Sequence, residues 1–155
     1  MTMRRLAIAS ALATLTTACG STATPTSAST ANAQVAGNYT VTVRNAPTCP
    51  TVTRSWSVTV TQSGGTLAVN MTPPSGSTFG GSAFAGGTVS GNTVSFVAVA
   101  VIEQSVTSGN VLFSMNGQMT GTASGTTISG TLNGQLGTGI AGCTAVNHSV
   151  TFTHQ

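Results

Sequence analysis

From residue 37 onward, apolar and polar residues alternate one by one. Tyr39, Val41 and Val43 interleave with Thr40, Thr42 and Arg44; Trp56, Val58 and Val60 with Ser57, Thr59 and Thr61; Leu67, Val69 and Met71 with Ala68 and Asn70. The pattern returns at Val111, Phe113 and Met115, at Ile128, Gly130, Leu132, Gly134 and Leu136, and at Val146, His148, Val150 and Phe152. A period of two sends successive side chains to opposite faces of an extended chain. Each run therefore predicts a strand with one face inward and one in water. One segment, 94–102, is apolar on both faces through Val97, Val99 and Val101. It predicts a strand covered on its outer side or contributing to a contact surface. No stretch keeps a helical period.

The breaks between runs carry turn chemistry: Gly64-Gly65, Ser90-Gly91-Asn92, Ser108-Gly109-Asn110 and Ser124-Gly125. Short links make successive strands antiparallel neighbours. The expected fold is all-β, an antiparallel up-and-down meander of about seven to eight strands closing into a small barrel, with a β-sandwich as the alternative. Gly117, Gly121, Gly130 and Gly134 favour the barrel, because glycine on the inward phase lets a strongly bent strand close a narrow ring.

Charge is almost absent. Only 3% of residues are charged, Glu103 is the one acidic residue, and two of the four arginines, Arg4 and Arg5, lie at the extreme N-terminus. The rest of the chain sets Arg44 and Arg54 against Glu103. A basic pI here reflects scarcity of titratable groups, and no nucleic-acid partner is expected. Val and Thr abound, which fits a pleated, half-buried surface and not a disordered chain.

Residues 1–18 read as a signal peptide: Arg4-Arg5, an apolar stretch over 6–15 too short to span a bilayer, then Ala18 before Cys19. The run LTTACGS (15–21) resembles the lipobox of bacterial lipoproteins, with Thr16 where that family favours Leu. The resemblance implies cleavage before Cys19, a lipid on its thiol, and attachment to a membrane. With Gly20 following, it implies the outer membrane if the cell has two. Plain secretion, with cleavage at a small-residue site such as Ala33, is the alternative. Residues 19–35 hold the cysteine and a Gly/Ser/Thr/Ala/Pro tether, and 36–155 the folded domain.

Three cysteines are awkward in an exported chain unless one is used separately. With Cys19 lipidated, Cys49 and Cys143 are left as a pair that an oxidising compartment would join. A metal or a reactive thiol is the other reading, although neither cysteine has a ligand-spaced partner. A bridge would also tie an early segment to the last strand, which are neighbours in a closed barrel.

The opening Gly37-Asn38-Tyr39 resembles the Gly-x-Trp start of lipocalins. The runs SGNTVSF (90–96) and ISGTLNG (128–134) look like the hairpins of avidin-like and lipocalin-like barrels. The resemblance implies architecture only.

Catalytic machinery is not expected. There is one carboxylate, no paired-carboxylate site, no phosphate loop and no G-x-S-x-G. His148 and His154, roughly 20 Å apart along a strand, are too distant for one metal ion, and no cofactor is expected. Glu103 would serve as a solubilising charge, as a partner for Arg44 or Arg54, or as a polar group at a cavity mouth. The expected function is a non-enzymatic envelope module binding a small apolar ligand or a protein partner, with Trp56, Phe96, Phe113 and His148 as candidate ligand-lining residues. The alternative is a packed barrel, its interior filled by Trp56, Phe96, Phe113 and Phe152, that acts through its outer surface.

Overall fold

The computed structural model describes residues 31–80, 86–139 and 142–155. The stretch read as a signal peptide, Cys19, and the stretch read as a tether as far as residue 30 lie outside the described residues. Nine strands follow in order: β1 Gly37–Arg44, β2 Thr53–Ser63, β3 Thr66–Thr72, β4 Ser77–Phe79, β5 Gly86–Ser90, β6 Thr93–Ser105, β7 Val111–Ser124, β8 Thr127–Gly137 and β9 Cys143–His154. All pairings are antiparallel. β1 pairs with both β2 and β9, and the β6–β7 pairing closes the sheet into a ring. The result is an eight-stranded meander barrel, as the alternation predicts. β4 and β5 share one staff of the ring. Ser77–Phe79 pairs with the far half of β6 (Ser105 to Glu103), and Gly86–Ser90 with its near half (Val97 to Thr93).

The two ends differ. Tight turns at 64–65, 91–92 and 125–126 close one end, while the segments 45–52, 73–76 and 106–110 lie at the other, the loop end. The inward phase of the strands builds a single core in which Phe96, Phe152 and Leu132 are fully buried. Phe96 stacks on Phe152 with ring centroids 5.3 Å apart, and Trp56 meets Phe113 edge-on at 5.1 Å. Burying each such side chain stabilises the fold by about 1.5–3 kcal/mol.

The inward glycines face one another across two strands: Gly117 opposite Gly134, and Gly121 opposite Gly130. A Cβ on Gly121 would stand 2.6 Å from the Ser129 carbonyl oxygen, and one on Gly130 would overlap the Thr120 carbonyl. β7 and β8 therefore approach more closely than any side chain would permit, which sharpens the bend of the wall.

Three register shifts interrupt the ladders, one of them just past Glu103 near the end of β6, and the other two re-aim side chains. In β6 the register slips between Ala98 and Val101. Val94, Phe96 and Ala98 point inward before it, Val101 and Glu103 after it. The slip explains why residues 94–102 read as apolar on both faces: Val97 and Val99 remain outside, about half exposed. In β9 the residues 146–147 stand opposite Asn133 alone, between the pairs Gly134–Ala145 and Leu132–His148. Val146, which the alternation places inside, is thereby turned out to 65% exposure.

On the outside, register lines up hydroxyls from strand to strand. Ser55, Thr42, Thr151, Ser129, Thr122 and Thr93 stand opposite one another in succession. Thr42 and Ser55 share a hydrogen bond of 2.8 Å.

The chain preceding β1 lies across the closed end. Val35 is buried in the core, and its N–H donates to Gln62 Oε1 at 2.7 Å. The Tyr39 hydroxyl donates to the Val35 carbonyl at 3.0 Å. Ala33 N–H donates to the Gly91 carbonyl, and Gly91 N–H to Asn32 Oδ1. The packed unit thus takes in residues 32–35, which the sequence reading assigns to the tether.

Candidate functional site

Nearly all buried polar chemistry gathers at the loop end. The β6 bulge turns Glu103 into the barrel, where it is fully buried. Arg54, on the inward phase of β2, meets it with two donors: Nε reaches Oε2 at 2.8 Å, and a second guanidinium nitrogen contacts Oε1. Trp56 Nε1 donates to Oε2 at 3.0 Å, and Ser77 adds a further hydrogen bond. Burial alone would raise the Glu103 carboxyl. The hydrogen bonds from Arg54, Trp56 and Ser77, with the Arg54 charge, outweigh it and hold the group below its ordinary value. Arg54 shifts upward, chiefly through its hydrogen bond to Glu103. Of the roles open to Glu103 in the sequence, the pairing with Arg54 is the one realised.

His148 is the second buried polar group. Its Nδ1 accepts from the Ala46 N–H at 3.1 Å, so the ring proton sits on Nε2, which meets the Gly134 carbonyl at 3.1 Å. Both nitrogens are used, and the ring pins the β1–β2 loop to β9. Two more ties hold that loop. Asn45 N–H donates to the Val52 carbonyl, and Cys49 is disulfide-bonded to Cys143 at the start of β9, with Cα atoms 5.9 Å apart. A loop fastened at three points keeps one shape before anything binds.

Clefts flank this loop. One, of about 460 Å3, is bordered by Arg44, Asn45, Thr51, Asn147 and Ser149. The other, of about 230 Å3, lies between Asn45, Val52 and the disulfide at Cys143. Asn45 belongs to both. It is 7% exposed, its Nδ2 donates to the Pro50 carbonyl, and its Oδ1 has no hydrogen-bond partner among the described residues. A third groove, of about 230 Å3, lies on the outer face of β1–β3 beside Pro73 and Pro74.

Of the candidate ligand-lining residues, Trp56, Phe96, Phe113 and His148 are all buried. Trp56 borders only the β1–β3 groove, and Phe96, Phe113 and His148 line none of the three clefts. The disulfide joins Cys49 and Cys143 as the cysteine arithmetic indicates. Asn45 and Asn147 drew no attention in the sequence. Asn147 has φ +68°, rare for a residue other than glycine, and marks the β9 bulge. A faint signal existed in the Val146-Asn147-His148 run, where an asparagine interrupts the last strand. No protein-family model, curated protein or solved structure matches this chain.

Proposed function

We propose that the protein is a non-enzymatic binding module of the cell envelope, tethered by a lipid on Cys19 and acting through the loop end of its barrel. The observation that carries this reading is the contrast between a core occupied by stacked aromatic rings and clefts that open beside a loop held by a disulfide. Eight-stranded barrels either fill their interior with side chains or hold one small ligand there, and in this one stacked Phe96 and Phe152 occupy the core. Recognition by such a barrel falls to its outside.

The path of the chain supports the same reading. Residues 32–35 lie on the closed end, so the tether leaves from there, opposite the loop end. Twelve residues separate Cys19 from Asn32, a reach of up to roughly 45 Å. A barrel anchored from its closed end can turn its clefts away from the membrane. Cleavage after Ala33 would discard the hydrogen bonds that Asn32 and Ala33 make with Gly91, which favours the anchor over secretion.

Two measurements test the proposal. Intact mass of the mature protein from its host is expected to show acyl chains on Cys19, and a lighter N-terminus beyond Ala33 would overturn the anchor. NMR titration of the oxidised protein with polar and lipid extracts of the envelope is expected to move resonances of residues 45–52 and 145–149. Shifts confined to Phe96, Phe113 and Phe152 would instead assign an apolar ligand to the interior.

A further inference from the structure

We propose that the cleft beside Arg44 is a recognition site for the carboxylate of a small hydrogen-bonding ligand, such as the C-terminus of a short peptide. This rests on the binding-module reading above and names what the module takes. The argument begins with charge. Among the described residues the charged side chains are Arg44, Arg54 and Glu103. Arg54 and Glu103 consume each other inside the barrel end. Arg44 is left exposed, with no ion-pair partner among the described residues. This one uncompensated guanidinium borders the largest of the described clefts.

The surroundings suit an anion with donors and acceptors of its own. Ser149 stands directly opposite Arg44 across the β1–β9 pairing, and Thr51 faces the same cleft from the loop. Both hydroxyls can donate to a carboxylate whose oxygens a guanidinium already holds in bidentate fashion. A single positive charge with two hydroxyls fits a monoanion better than a phosphate dianion. The volume, about 460 Å3, accommodates a ligand of dipeptide size.

Two strained or unmet features border this same cleft. Asn147 holds its positive φ while its N–H donates to Asn133 Oδ1 at 3.0 Å. Asn45 keeps its Oδ1 buried and unpartnered. Backbone strain and unmet buried acceptors persist where the surrounding structure over-determines them, and they concentrate at binding sites. Here the over-determination is visible as the three ties that fix the loop. Within the cleft, Ala46 and Pro47 offer an apolar contact for a small side chain.

The test is an NMR titration of the oxidised protein with N-acetyl-alanyl-alanine, with the same dipeptide as its C-terminal amide, and with glucuronate. Saturable shifts at Arg44, Thr51, Asn147 and Ser149 are expected with the free acids and not with the amide. Tighter binding of the dipeptide acid than of glucuronate identifies a peptide end, and the reverse order a sugar acid. Arg44→Gln is expected to weaken binding about tenfold or more. Because Arg44 is exposed, its Tm should match wild type, separating lost binding from lost folding. Equal response to acid and amide, unchanged affinity in Arg44→Gln, or no saturable shift at these residues would overturn the site. If the carboxylates fail while envelope extract still moves residues 45–52 and 145–149, only the ligand class falls and the binding-module reading stands.

Discussion

At the closed end of the barrel the chain is held by packing and neutral hydrogen bonds: Val35 in the core, Tyr39 reaching back to it, tight turns on every side. At the loop end the same sheet is held by a disulfide, a buried ion pair and a doubly bonded histidine. Tight turns leave little backbone to satisfy, so apolar contact suffices there. Long loops bring backbone and polar side chains inward, and each needs a partner once water is excluded. The difference teaches where this small domain spends its buried polar groups. The end with more to satisfy is also the end with clefts.

The sharpest way to break the comparison is to open the bridge. Cys49→Ser with Cys143→Ser removes a link across 94 residues, for which chain entropy gives a loss of about 4–5 kcal/mol. Denaturant unfolding with and without reductant measures it. A loss under about 1 kcal/mol would mean that the loop end holds without its covalent tie.

Next in size is Glu103→Gln, expected to destabilise by about 3 kcal/mol at neutral pH by removing the charge that balances Arg54 and setting an NH2 donor against its guanidinium. Because the folded carboxyl titrates below its ordinary value, its contribution is present above that value and fades as pH falls through the folded one. The gap between wild type and variant in thermal melts should therefore narrow in acid. A gap independent of pH would contradict the ion pair.

The closed end should respond more weakly. Val35→Ala is expected to cost about 1.5 kcal/mol through lost burial, and a neutral result would return residues 32–35 to the tether. The smallest effect belongs to Tyr39→Phe, about 1 kcal/mol for one hydrogen bond. Burial raises the Tyr39 hydroxyl above its ordinary value of 10.0. Wild type should then lose stability as pH climbs past that value, and the Phe variant should not. Alkaline melts that coincide would show the hydroxyl contributes nothing. Acid would thus probe one end and alkali the other.

Period-two alternation was enough to place most strands and their inward faces, because a pleated chain has no other way to sort Val41, Val58 or Phe152. It could not foresee the bulges. An extra residue at 99–100 or at 146–147 leaves composition unchanged while reversing every side chain beyond it. For that reason Val146 came out exposed and Glu103 came in. The pairing of Glu103 with Arg54 was open in the sequence only because charges are so few. Asn45 stayed hidden, since nothing local distinguishes it from any turn asparagine. The short β4, the seat of Ser77, carries too few residues to show a period.

Ring closure has one more consequence, for the history of the chain before it folds. Residues 93–102, TVSFVAVAVI, combine high β-propensity with no charge and no proline, the signature of segments that stack into cross-β fibrils. In the barrel, β6 has backbone partners on both sides, β7 on one and β4 with β5 on the other. On that side β5 covers Thr93 to Val97 and β4 covers Glu103 to Ser105, so within those spans the backbone is already paired. Until β6 meets β7 and Cys49 finds Cys143, the same segment is an aggregation hazard, with Glu103 at its end as its flanking charge. The closed sheet is therefore a form of quarantine as well as a scaffold, and early closure of the Cys49–Cys143 bridge would shorten the exposure.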